Sequence, residues 1–299
     1  MLVEFYKLAY AYLEQIDLSK LEDEDLEKLL PFLKSVFNIN ITVQNKINFN
    51  FVFRATGVSN KFLENGKVRD IKYISFPPKE IIKSNGVYGR ANSPDSTLFY
   101  CAFEPGVAIL ETKPKVGDRI IIAQWINEGA KDFITYPITN NKTIDNDSLK
   151  FATKAFQERM SYNHPLFAEI LDRQLSFLSS KFVKDITIKN SKKYEYLFSA
   201  YFSEKILDNH FDPIDHPTEP IKHYDAIIYP SIAIKHKSEN LAIMPDSVSK
   251  LKPYQIEDCI VLKTMYDNPD LRDDKLPIIR NVIRRATEFN GNKIIWNDD

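Results

Sequence analysis

Hydrophobic positions along this chain switch between two periods, and the switches divide it into elements. Leu2, Phe5, Ala9, Tyr12, Leu13 and Ile16 recur at helical spacing, and Leu26, Leu29, Leu30 and Leu33 begin a second helical stripe. The acidic residues 22–25 stand where a helix N-terminus would favour them, and Pro31 is expected to kink or divide the second helix. Ile47, Phe49, Phe51 and Phe53 then alternate with polar residues, the period-two pattern of a half-buried strand, with Arg54 next on the opposite face. Residues 55–86, which carry Gly57, Gly66, Pro77 and Pro78, read as a long irregular binding loop or lid.

Residues 98–103 (LFYCAF) form an aromatic-rich run of strand length. Pro105 follows at a plausible first helical position, where its missing N–H costs nothing. Val107, Ala108 and Glu111 recur at helical spacing, and Thr112-Lys113-Pro114 stops the helix. Residues 119–125 (RIIIAQW) predict another strand. Residues 146–182 and 192–207 predict helices, and 224–229, 240–244 and 259–265 predict strands. Residues 277–289 predict a C-terminal helix. Strands and helices mixed without strict alternation predict an α+β fold, a mixed sheet with flanking helices. The boundaries are a helical extension over 1–45, a core over 46–270, and a C-terminal helix and tail over 271–299. A helical hairpin of the N-terminal length is marginal in water by itself. It must pack on the core, on a second copy or on an inhibitor, and a homodimer is the expectation.

Composition narrows the partners. The 299 residues carry a formal net charge of −1, so no global field draws nucleic acid or an anionic membrane. Cys101 and Cys259 are too few for a disulfide framework and fit a reducing cytoplasm. No apolar run approaches the roughly 18 residues of a membrane span. Glu4 and Lys7 interrupt the N-terminal apolar pattern, which is therefore no signal peptide. The expected location is the cytoplasm.

The chemistry rests on side chains. The chain has 8 glycines and no G-x-G, which excludes the glycine-rich phosphate loops. A nucleotide's pyrophosphate would need arginine, and Arg54 and Arg90 are the candidates, against surface ion pairs as the plain alternative. Tyr100 is either a core aromatic or a ring that stacks on a ligand. Cys101 points to the other face and reads as a packed residue, not a nucleophile. Glu111, a carboxylate on an apolar helix face, is costly unless paired or used, with Lys113 or Lys115 as alternative partners. Ser231 lies in no nucleophile elbow, and reads as a hydrogen-bond partner to phosphate or to Glu111, or as a strand-end serine. The His- and Asp-rich loop 208–223 matches no common metal spacing and reads as solvated, as do the basic residues 280, 284 and 285.

Gly89-Arg90-Ala91-Asn92, residues 98–102, Ala108 to Glu111 with Pro114 and Gly117, Arg54 and Ser231 together resemble the RES-domain family. The resemblance runs from about residue 47 to about residue 265. It implies a core related to ADP-ribosyltransferases and an NAD-degrading enzyme, usually the toxin of a bacterial toxin–antitoxin pair. The nicotinamide–ribose bond would break and ADP-ribose would pass to water or inorganic phosphate. In that scheme Arg54 and Arg90 hold phosphates. Tyr100 and Asn92 contact the substrate, Glu111 stabilises the cation, and Ser231 supports the site. NAD is then a substrate, with no recycled cofactor and no metal, and an antitoxin protein is the expected partner. Two alternatives share the residues: transfer to a protein or nucleic acid, and a non-catalytic NAD-binding or interaction module.

Overall fold

The computed structural model describes residues 2–37, 45–139, 147–184, 193–208, 223–232, 238–264 and 278–299. Helices α1 (Leu2–Gln15) and α2 (Asp23–Val36) come first. Strands β1 (Asn45–Ile47) and β2 (Phe51–Gly57), the hairpin β3 (Leu63–Glu64) and β4 (Lys67–Val68), and the short helix α3 (Lys79–Asn85) follow. The central stretch is β5 (Phe99–Ala102), α4 (Pro105–Glu111), β6 (Arg119–Ile126) and β7 (Phe133–Pro137). Helices α5 (Asp147–Ser161), α6 (Pro165–Phe182) and α7 (Leu197–Leu207) precede β8 (Ala226–Pro230), β9 (Glu239–Ile243), β10 (Lys252–Thr264) and β11 (Ile278–Ala286). The hairpin β12 (Glu288–Asn290) and β13 (Lys293–Ile295) closes the described chain.

Nine strands form one mixed sheet in the order β1-β7-β8-β9-β5-β2-β6-β10-β11. The β7–β8 pair is parallel and the other pairs are antiparallel. Both faces of the central strands are covered, which is why β8 reads as an apolar run and both β8 and β9 are buried at every position. On one face Ile227, Tyr229 and Ala242 join Tyr6, Tyr10, Leu13, Leu33, Phe177 and Phe198 of the helices. On the other, Ala226, Ile228, Leu241 and Ile243 meet Trp125 and Trp296. Helix α4 lays Val107 to Leu110 over Ala55, Ile120, Ile122, Cys259 and Val261. The fold is α+β with a large mixed sheet, as the pattern predicts.

The N-terminal helices pack on the chain's own helical layer. Leu13 and Leu33 are completely buried there, each contributing about 1.5–3 kcal/mol by transfer from water. The Tyr10 hydroxyl donates to Gln174 Oε1 at 3.1 Å, Lys7 pairs with Glu169 at 3.3 Å, and Lys193 pairs with Asp23 at 2.7 Å. The acidic turn caps α2: the Glu22 N–H donates to Asp25 Oδ2 at 3.2 Å.

Four expectations change. Pro31 does not divide α2, which runs unbroken from Asp23 to Val36; burial of Leu29, Leu33 and Val36 holds the helix through the missing hydrogen bond. The period-two run splits into β1, paired with β7, and β2, paired with β6. Residues 55–86 form no free lid. Val58, Leu63, Ile71, Tyr73 and Phe76 cover the core opposite the N-terminal helices. The C-terminal helix over 277–289 is replaced by strand β11. Its Ile278, Ile279, Val282 and Ile283 fit a helical stripe, but their β-branched side chains favour extended backbone once β10 offers an edge. Arg280 and Arg285 therefore pair across to Glu257, and Arg284 to Asp258, in place of a solvated helix face.

Candidate active site

Helix α4 is one short helix with Pro105 in its first turn and residues 106–110 buried. That burial fixes its last residue, Glu111, over the sheet. Two donors converge on one of its oxygens: Ser231 Oγ donates to Oε1 at 2.6 Å and Asn240 Nδ2 at 2.7 Å. Ser231 stands just after Pro230 ends β8, fully buried, its N–H donating to the Ser238 carbonyl at 2.8 Å. Asn240, also buried, lies in one row across the sheet with Tyr229, Ala102 and Phe53, set by the registers of β8, β9, β5 and β2. No described residue bonds Glu111 Oε2, and the side chain lines an open cleft of about 280 Å³.

Strands β2 and β5 are joined through a single residue pair, Phe53 with Ala102. Beyond it they part, and Arg54 reaches across the gap: Nη1 donates to the Tyr100 carbonyl at 2.8 Å, with the guanidinium 5.4 Å from the centre of the Phe99 ring. Arg54 Nε is enclosed and has no partner among the described residues. Burial pushes this guanidinium down to about 10, so it stays charged at neutral pH. The enclosed Nε is out of a ligand's reach, but the guanidinium lines the cleft, and its charge is suited to an anionic ligand.

Tyr100 presents its ring to the cleft but spends its hydroxyl on the protein. The hydroxyl donates to Asn92 Oδ1 at 2.7 Å and accepts from the Ala91 N–H at 2.9 Å, and burial raises its pKa. Gly89 is required here: a Cβ would overlap the Asn92 side chain and stand 3.1 Å from the Tyr100 hydroxyl. Asn92 is itself buried, its Nδ2 donating to the carbonyls of Ser93 at 2.9 Å and Ser96 at 3.1 Å. Arg90 lines the cleft, yet its guanidinium is engaged. It donates to the Phe182 carbonyl, to the Lys184 carbonyl at 3.4 Å and to the Tyr196 hydroxyl at 2.9 Å, and lies over the Tyr196 ring. A phosphate would share a group that already braces the C-terminal end of α6, a favourable place for a cation. Burial also raises the Cys101 thiol, in keeping with a packed residue.

The structure thus gathers Arg54, Arg90, Tyr100 and Glu111 around one cleft, with Ser231 and Asn92 as supports behind it. Asn240, Tyr229 and Tyr196 also line it, beside Ala55, Cys101, Ala108 and Thr112, and these three are not among the site residues expected from the sequence. A polar residue opening a buried strand is the one trace Asn240 leaves. Of loop 208–223, residues 209–222 lie outside the described residues.

The RES domain model matches residues 68–261, more than half of the chain, and the chain belongs to the RES domain family. Arg90, Asn92, Tyr100, Glu111 and Ser231 lie inside the match, while Arg54 precedes it. No curated protein and no solved structure matches the chain. Family membership is consistent with an NAD-related toxin, and no described helix is long and apolar enough to cross a membrane.

Proposed function

We propose that this protein cleaves the nicotinamide–ribose bond of NAD and transfers ADP-ribose to inorganic phosphate or water. The observation that carries the reading is Glu111, anchored at Oε1 by Ser231 and Asn240 and facing a cleft that the charged Arg54 also lines. Breaking the C–N bond returns its electron pair to the pyridinium ring. Nicotinamide then leaves neutral and needs no general acid. Positive charge builds on the ribose, as in glycoside cleavage, and a pre-oriented carboxylate stabilises it where it develops. Water or phosphate then bonds to the anomeric carbon; attacking water gives up a proton. Arg54 attracts the pyrophosphate, Arg90 adds positive field at the cleft wall, and the Tyr100 ring supplies a flat surface for nicotinamide or ribose.

Purified protein incubated with NAD tests this directly. Free ADP-ribose or its phosphorylated form is the expected product. Label appearing on a macromolecule would make the protein an ADP-ribosyltransferase, and intact NAD would end the catalytic reading.

A further inference from the structure

Tyr229 lines the cleft with a polar end to which the proposed reaction assigns no part. It is 4% exposed, its ring packs on Phe182 at 5.5 Å between centroids, and it lines the cleft. No described residue hydrogen-bonds its hydroxyl. A buried phenol left without a partner is costly, and a ligand in the cleft would supply one.

Its place in the sheet says which part of the ligand. Tyr229 stands two residues before Ser231 on the same strand face and directly across from Asn240, the two donors that hold Glu111 Oε1. Glu111 Oε2 and the Tyr229 hydroxyl therefore border one space. A carboxylate oxygen accepts and a phenol donates. An alcohol satisfies both, donating to Glu111 and accepting from Tyr229, whereas a phosphate oxygen would meet the carboxylate as a like charge. We propose that Tyr229 contacts the substrate, its hydroxyl donating to a sugar hydroxyl that itself donates to Glu111, so that the pair selects a ribose-bearing ligand. This rests on the NAD reading and names the group that reading leaves open. Burial holds the phenol well above its ordinary pKa, so it remains a donor throughout the neutral range.

The test is Tyr229→Phe, assayed with NAD and with two analogues lacking one or other hydroxyl of the nicotinamide-side ribose. The expected result is a roughly three- to tenfold lower kcat/KM on NAD, the size of one neutral hydrogen bond, with a melting temperature no lower than that of the wild type. The loss should vanish on the analogue that lacks the contacted hydroxyl. Equal losses on all three substrates, or no loss on NAD, would overturn the proposal. Calorimetric NAD affinity separates it from the catalytic reading. If the wild-type protein leaves NAD intact, weaker binding by the variant still supports the contact. Equal affinities, or no binding by the wild type, overturn it.

Discussion

Ser231 and Asn240 spend their hydrogen bonds on the same oxygen of Glu111, which leaves the other oxygen aimed but unclaimed. Replacing Glu111 with Gln keeps the shape and removes the charge. Turnover should fall by more than tenfold, while NAD binding by calorimetry weakens by no more than the loss of one ribose hydrogen bond, up to about tenfold. Asn240→Ala should act through orientation alone: kcat falls roughly tenfold to a hundredfold with KM little changed, since a small misplacement of a reacting group carries that cost. Arg54→Ala should weaken binding of ADP-ribose by about 1.5–3 kcal/mol, with Lys restoring only part of it. Burial lowers the Arg54 value to about 10, so its positive charge is complete at neutral pH and diminishes gradually as pH rises through that value. ADP-ribose affinity, followed from pH 7 upward, should decline near pH 10, and the decline should be absent in Arg54→Ala. Glu111 was legible because a carboxylate on an apolar helix face is a local conflict, and Arg54 only through its place in the family pattern. Asn240 was not, because its purpose appears only when β9 lies beside β8 and brings it 129 residues back to Glu111.

Among the elements, the sequence announced those whose pattern answers to one surface. Helix α2 buries Leu29 and Leu33 of its expected stripe, and the strand at 98–103 has aromatic residues on both sides, whereas α1 is helical as expected but buries Tyr6, Ala9, Tyr10 and Leu13 and leaves Leu2, Phe5 and Tyr12 of the expected stripe exposed. Strand β11 was misread because four apolar positions at helical spacing say nothing about a neighbour. The edge of β10 decided the matter, and it lies in another part of the sequence. The 146–182 pattern likewise held as helix but broke at His164-Pro165, where the histidine caps α6 by accepting from the Leu166 N–H at 3.3 Å. Pro31 is the element-scale experiment. A proline inside a helix forgoes one backbone hydrogen bond and costs up to about 3 kcal/mol, offset in part by the stiffness it lends the unfolded chain. Pro31→Ala should therefore raise the melting temperature, read by calorimetry, without touching activity. A lower melting temperature would mean that the ring itself is a packing group.

For the molecule as a whole, the C-terminal residues matter more than a tail would. Trp296 is 2% exposed and its Nε1 donates to the Val68 carbonyl at 2.8 Å, while Asp299 is held ionised by Arg69 and Lys67. Trp296→Ala should cost about 3–5 kcal/mol, measured by denaturant unfolding, because a large void opens beneath β10 and β11. The homodimer expected from the N-terminal segment is a proposal about its outward face, Leu2, Phe5, Leu8 and Tyr12; light scattering that finds a monomer ends it. The narrow junction of β2 with β5 reaches furthest. It is a seam between two half-sheets, one of five strands and one of four. Glu111 rides on the helix that covers the smaller half yet takes both hydrogen bonds from the larger, and Arg54 leans from the smaller half onto the larger. The contacts that aim the carboxylate are thus rivets across that seam. Loosening it should silence the proposed NAD cleavage well before the protein unfolds.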